Sequence, residues 1–288
     1  MNFGNSTKLL GIIGYPLEHS LSPFMYNKAL AHLGIDAVYL AFPVEPGRLK
    51  EAVEGAKALG IRGFNVTIPH KEKILEYLDE LDEEAAAVEA VNLVVIEQGK
   101  TKGFNTDGAG FMMSLKENGV EIPGRALVFG AGGAAKSIGY RLAQEGWEVV
   151  FVNRRPDRAC FLARRVHELT GAKAEGLELG SSELPRLLRQ TDLVINTTPV
   201  GMYPRVAASL AVPWAEAKKD AVAVDIVYNP LHTSFLRGAA EAGIRTISGM
   251  GMLLYQGVIS FKILTGHDAP VDVMQDALCQ KLLENDPH

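Results

Sequence analysis

The chain has 288 residues, is 47% hydrophobic and 22% charged, and carries a formal net charge of -5. That length allows one large or two medium domains. The charge offers no general basic field to nucleic acid, and no run approaches the ~18 apolar residues of a membrane span.

Met1–Lys8 lacks the basic start and long apolar core of a secretory signal. Cys160 and Cys279 lie far apart and match no metal or redox spacing. So few cysteines point to reduced thiols and a cytoplasmic protein. The histidines are scattered and none has a second ligand at zinc spacing, so no metal site is expected.

The first expected strand is Leu9–Gly14. Ser20-Leu21-Ser22-Pro23 follows and leads into an expected helix over Pro23–Leu33. Ser22 suits an N-cap with Pro23 at the first helical position. A helix start with two hydroxyls also suits an anion, and spacing leaves the two readings even. A strand at Val38–Pro43, a helix at Pro46–Leu59 and a strand at Arg62–Val66 come next.

Asn65-Val66-Thr67-Ile68-Pro69-His70-Lys71 then reads as a strand turning into a helix, His70–Tyr77. Asn65 and Thr67 alternate around Val66 and so share a face of an extended segment. Lys71 falls at the helix start, where the macrodipole disfavours an ammonium; chemistry is a reason to place it there. A strand at Val91–Glu97 precedes Asn105-Thr106-Asp107, which opens a helix over Thr106–Asn118. Asp107 complements that helix dipole or, if it meets Lys71, forms an acid–base couple.

In the second half, strands are expected at Ala126–Phe129, Glu148–Asn153, Leu193–Asn196, Ala221–Ile226 and Arg245–Ile247. Helices are expected at Gly133–Glu145, Pro156–Glu168, Ser234–Ala242, Met250–Leu264 and Val271–Leu283. Alternating strands and helices predict α/β architecture: two domains, each with a mostly parallel sheet covered by helices, and a cleft between them. Turn signals at Asn118-Gly119 and Pro123-Gly124 precede the second set of strands.

Gly130-Ala131-Gly132-Gly133-Ala134-Ala135 is G-x-G-x-x-A between a strand and an amphipathic helix, the dinucleotide fingerprint of a Rossmann-like domain. Gly130 makes the tight turn, Gly132 admits a pyrophosphate and Ala135 keeps the helix close to the strand. An NAD site expects an acid about 20 residues on. Here Asn153-Arg154-Arg155 stands at that strand end, with Arg158 one turn later. Guanidinium groups bind a 2′-phosphate that a carboxylate would repel, so NADP(H) is the expected cofactor.

These pieces, with Gly14-Tyr15-Pro16, Val91-Asn92, Asn196-Thr197-Thr198-Pro199, Gly201-Met202, Asp225-Ile226-Val227-Tyr228 and Gly249–Gln256, run in order along nearly the whole chain. The chain resembles the shikimate dehydrogenases. The resemblance implies reversible NADPH-dependent reduction of 3-dehydroshikimate to shikimate. It implies a substrate domain at 1–106 joined by C-terminal helices from about 250 to 288, and an NADP-binding domain at 107–249.

It also implies that Ser20, Ser22 and Tyr228 hold the substrate carboxylate. Asn65, Thr67, Asn92, Asp107 and Gln256 hold its hydroxyls and reacting oxygen, and Lys71 and Asp107 are the catalytic pair. Gly130, Ala131, Gly132, Gly133 and Ala134 take the pyrophosphate. Asn153, Arg154, Arg155 and Arg158 surround the 2′-phosphate, although Arg155 stands where many relatives carry threonine or serine. Thr197, Met202, Ile226 and Gly249 line the nicotinamide end. A homodimer is the assembly the resemblance allows. Asp225 is left outside the chemistry, as an orienter of the Asn229-Pro230 turn. The competing readings are an NAD-linked quinate/shikimate dehydrogenase, a non-catalytic nucleotide-binding regulator, and a folate-linked dehydrogenase of similar plan.

Overall fold

The computed structural model describes residues 4–285. The chain forms two compact units, one made of the residues up to Asp107 together with those from Leu254 on, the other of Gly108–Leu253. Among the described residues no helix is long and apolar enough to cross a membrane.

The first unit holds strands β1 (Lys8–Gly14), β2 (Ala37–Pro43), β3 (Gly63–Val66), β4 (Glu80–Leu81), β5 (Leu93–Glu97) and β6 (Lys100–Phe104). Its helices include α1 (Ser22–His32), α2 (Leu49–Ala58) and α3 (Glu83–Val88). The sheet order is β2-β1-β3-β5-β6-β4. Every pairing is parallel except those that β5 makes with β3 and β6.

The antiparallel pairing of β5 with β6 comes from a two-residue turn. Gln98 and Gly99 both have positive φ, 52° and 76°, as a hairpin of this kind needs. Sequence reading placed β5 but missed β6, which returns the chain across the sheet and delivers Asn105–Asp107. Gln98-Gly99 followed by an alternating Lys100–Phe104 was the available signal.

The helix expected over His70–Tyr77 is instead a turn followed by a 3₁₀ helix at Lys73–Tyr77. Its backbone keeps one helical bond, Ile74 N–H to His70 O at 3.0 Å, but His70 N–H closes a turn onto Thr67 O, and Val91 N–H donates to Lys71 O at 2.8 Å. Lys71 therefore does not stand at a helix start, and the dipole argument for it fails. Ser22 is likewise not the N-cap of α1. Leu21 occupies that position without a side-chain cap, and Ser22 is the first helical residue.

The second unit begins inside α4 (Asp107–Glu117) and holds β7 (Arg125–Phe129), β8 (Glu148–Asn153), β9 (Ala174–Glu178), β10 (Leu193–Asn196), β11 (Val222–Asp225) and β12 (Arg245–Ile247). All pairings are parallel, in the order β12-β11-β10-β7-β8-β9. Helices α5 (Gly133–Gln144) and α6 (Pro156–Thr170) cover one face, packing on Val128, Phe151 and Ile195. Helices α7 (Leu184–Leu188) and α8 (Ser234–Glu241) cover the other, on Leu127, Val150 and Val194. Burial on both faces explains the unbroken apolar runs of these strands. Helix α9 (Met250–Thr265) starts in the second unit and ends in the first, where α10 (Val271–Asn285) packs on α1.

Candidate active site

In the first unit the structure joins Lys71 to Asp107, with Nζ donating to Oδ2 at 2.5 Å. Both ends are held rigidly. Buried His70 bonds the Val44 carbonyl through Nε2 at 2.6 Å, and Val91 holds the Lys71 carbonyl. Asp107 opens α4, where Asn105 Oδ1 accepts its N–H at 3.1 Å and Asn105 Nδ2 ties back to Ala90 O at 2.8 Å. The Asp107 side chain is 4% exposed and that of Lys71 17%, so the ammonium is the more open member of the pair.

Asn92 joins this pair. Its Oδ1 accepts the Thr106 N–H at 2.8 Å, which fixes the amide orientation and turns Nδ2 toward Asp107 Oδ1, also at 2.8 Å. Gln256 Oε1 lies 3.5 Å from the same nitrogen. Asn65 is almost wholly buried. It accepts from Tyr39 Oη at 2.8 Å and donates to Asn92 O and Ser260 Oγ at 3.2 and 3.3 Å.

Ser20 and Ser22 lie before and at the start of α1, and among the described residues neither hydroxyl has a hydrogen-bond partner. Thr67 follows β3 with its methyl against Gly14; a Cβ on that glycine would stand 2.4 Å from Thr67 Cγ2.

In the second unit, β7 runs into Gly130 at φ 126°. A Cβ there would meet Thr197 Oγ1 at 2.3 Å, and Thr197 itself is fastened by Oγ1 to Phe129 O at 2.7 Å. Gly132 is the N-cap of α5, and nothing lies within 4 Å of where its Cβ would be. Ala131 and Ala135 are buried, Gly133 and Ala134 open the helix, and the free N–H groups of that first turn suit a pyrophosphate.

β8 ends at Asn153 beside exposed Arg154 and Arg158, and among the described residues neither guanidinium has a partner. Arg155 differs: its Nη2 pairs with Asp157 Oδ2 at 2.9 Å. Gly249 lies under Ile226, since a Cβ there would be 2.3 Å from Ile226 O. Met202 is 40% exposed. An open glycine turn, a bare helix start and two unpaired guanidiniums at the next strand end fit a phosphorylated dinucleotide.

Comparison with known proteins shows what the whole chain is similar to. Residues 12–94 match the shikimate dehydrogenase substrate binding domain, and residues 249–279 match the shikimate 5′-dehydrogenase C-terminal domain. A shikimate dehydrogenase (NADP(+)) of Methanopyrus kandleri is 47% identical over 279 residues, covering 96% of each chain. The chain belongs to the shikimate dehydrogenase family. A shikimate dehydrogenase crystallised with NADP+ superposes at a TM-score of 0.90 with 41% identity and 98% of each chain covered. The shikimate 5-dehydrogenase of Listeria monocytogenes, solved with shikimate and NAD, gives 0.88 and 37%, covering 96% of this chain and 98% of that one.

Like the glycine turn, Asp225 sits at the C-terminal edge of the second sheet. It is fully buried, accepting at Oδ1 from Asn196 Nδ2 and Val227 N–H, both at 3.0 Å, and at Oδ2 from Thr233 Oγ1 at 2.6 Å. It thereby ties the loop of Ile226 and Tyr228 to the loop after β10, a wider role than orienting one turn. Tyr228 is half-buried, and burial pushes its phenol up to about 12, so it stays a neutral donor.

Burial raises the Asp225 carboxyl to about 6, against three bonds that lower it. An unfolded aspartate titrates near ~3.9, so between these values the folded chain binds the extra proton and gains stability as pH falls. Asp225→Asn can remake all three bonds, because its Nδ2 can donate to Thr233 Oγ1. Chemical denaturation at pH 4 and pH 7 should show wild type gaining about 2 kcal/mol on acidification relative to Asp225→Asn. Parallel pH dependence in the two proteins would reject the assignment.

Thr106, Ser260, Tyr39 and His70 were missed as site residues. Nothing local marks them; each matters through a partner distant in sequence.

Proposed function

We infer that this chain catalyses the reversible NADPH-dependent reduction of 3-dehydroshikimate to shikimate, a step toward chorismate and the aromatic amino acids. The observation that carries this reading is 47% identity to a shikimate dehydrogenase (NADP(+)) across 96% of both chains.

In the first unit, Ser20 and Ser22 bring unpartnered hydroxyls suited to the substrate carboxylate. Asn65, Thr67, Asn92 and Gln256 are assigned to the ring hydroxyls. Gly130–Ala134 would hold the NADP(H) pyrophosphate, Asn153, Arg154 and Arg158 the 2′-phosphate, and Thr197, Met202, Ile226 and Gly249 the nicotinamide. Bound NADPH supplies the hydride for the ketone carbon.

The rest is done by the Lys71–Asp107 pair. Both Asp107 oxygens already accept bonds, one from Lys71 and one from Asn92, so the carboxylate serves as anchor. Lys71 keeps ammonium hydrogens beyond the one given to Asp107, stabilises the developing alkoxide and delivers its proton. Cys160 and Cys279 are free thiols, which supports a reducing compartment, the cytoplasm.

The test is absorbance of NADPH formed from shikimate, repeated with quinate and with NAD. Shikimate with NADP should turn over fastest. Equal or better rates with NAD would overturn the cofactor assignment, and preference for quinate the substrate.

A further inference from the structure

Resting on that reading, we propose that Thr106 is a positioning residue for the shikimate site, with Ser260 behind it. Thr106 is 3% exposed, in the short link between β6 and α4. Its N–H fixes the Asn92 amide, and its hydroxyl stands 2.9 Å from Asn92 Nδ2, 3.1 Å from Gln256 O, 3.0 Å from Ser260 Oγ and 3.3 Å from Asn92 Oδ1.

A hydroxyl has one proton and two lone pairs. Gln256 O can only accept and Asn92 Nδ2 can only donate. Asn92 Oδ1 also only accepts, but it is farther, at 3.3 Å, and already takes the Thr106 N–H. Thr106 therefore donates to the nearer Gln256 O and accepts from Asn92 Nδ2, and its second lone pair takes the Ser260 proton. Ser260 Oγ is then an acceptor for Asn65 Nδ2, and Asn65 Oδ1 for the Tyr39 hydroxyl. Every bond runs one way: Tyr39 to Asn65 to Ser260 to Thr106 to the Gln256 carbonyl. Bonds aligned in this way polarise one another, and buried networks of this kind hold a single arrangement.

Asn92 Nδ2 has two hydrogens, one engaged by Thr106 Oγ1 and one by Asp107 Oδ1. Without the hydroxyl, the amide loses the second anchor that aims it at Asp107. The α9 backbone at Gln256 loses its tie to the same point. Thr106 touches no reacting atom in this scheme; it acts through Asn92, Asp107 and Gln256.

The experiment compares Thr106→Val, which keeps the shape without the hydroxyl, with Thr106→Ser, which keeps the hydroxyl. Thr106→Val should lower kcat about tenfold, the scale of one buried hydrogen bond. KM for NADP should stay unchanged, and Thr106→Ser should recover kcat to within about twofold. General loosening of the fold would move KM for NADP as well and would not follow the hydroxyl.

Wild-type kcat in Thr106→Val, or failure of Thr106→Ser to recover it, would overturn the proposal. Should Thr106→Val not fold, Ser260→Ala removes the hydroxyl that donates to Thr106. A loss of about threefold in kcat there supports the network, and wild-type kcat rejects it. Absence of shikimate turnover in the wild-type chain would instead defeat the functional reading itself, so the two failures are distinguishable.

Discussion

Lys71→Ala will lower kcat by about 10²–10⁴-fold, the usual range for a positioned proton donor, while KM for shikimate changes far less. The ammonium lies 2.5 Å from Asp107 and is the more open member of the pair. It is therefore the group placed to meet charge that develops only as the ketone is reduced. Alanine also strands Asp107, 4% exposed, without its cation, so some loss of stability accompanies the loss of rate. Lys71→Arg separates these effects. Guanidinium keeps the charge and can pair with the carboxylate, but it does not release its proton near neutral pH. It should recover the melting temperature and leave kcat low. Near-normal turnover in either variant would remove Lys71 from the chemistry.

Arg154→Ala combined with Arg158→Ala will raise KM for NADPH about 100-fold and leave KM for NADH almost unchanged. Charge-assisted bonds to a phosphate contribute about 1.5–3 kcal/mol each, and losing two reaches that factor after partial screening at an exposed site. The prediction extends to Arg155→Ala, which should change KM for NADPH less than about threefold. That guanidinium already faces Asp157 at 2.9 Å, and one carboxylate cancels most of what it would offer a dianion. Steady-state kinetics with both cofactors decide the matter. A parallel rise for NADH would mean that the arginines support the loop rather than read the 2′-phosphate.

The contrast between Arg155 and its neighbours shows where sequence reading stopped short. Asp157 is two residues away and was legible, yet counting cations at the strand end passed over it. The glycine turn was read correctly in place because its requirements are local: a strand end, a positive φ at Gly130 and a helix start at Gly133. The same reasoning misplaced Ser22 by one position and turned His70–Tyr77 into a helix. In that segment the Lys71 carbonyl is taken by Val91 N–H and not by the next turn, and hydropathy periodicity carries no information about such partners.

Residue order by itself determined the alternation of strands and helices, the dinucleotide turn and the basic strand end that favours NADP(H), because each depends on neighbours within a few positions. Only the tertiary structure decided that Lys71 meets Asp107 across 36 residues and that Asn92 aims its amide at that carboxylate. It also decided that Thr106 and Ser260, unremarkable in the chain, close the network behind them. A hydrogen bond has direction and limited valence. Which lone pair is engaged depends on partners brought in by β6 and α9, and nothing adjacent to Thr106 in the chain records them.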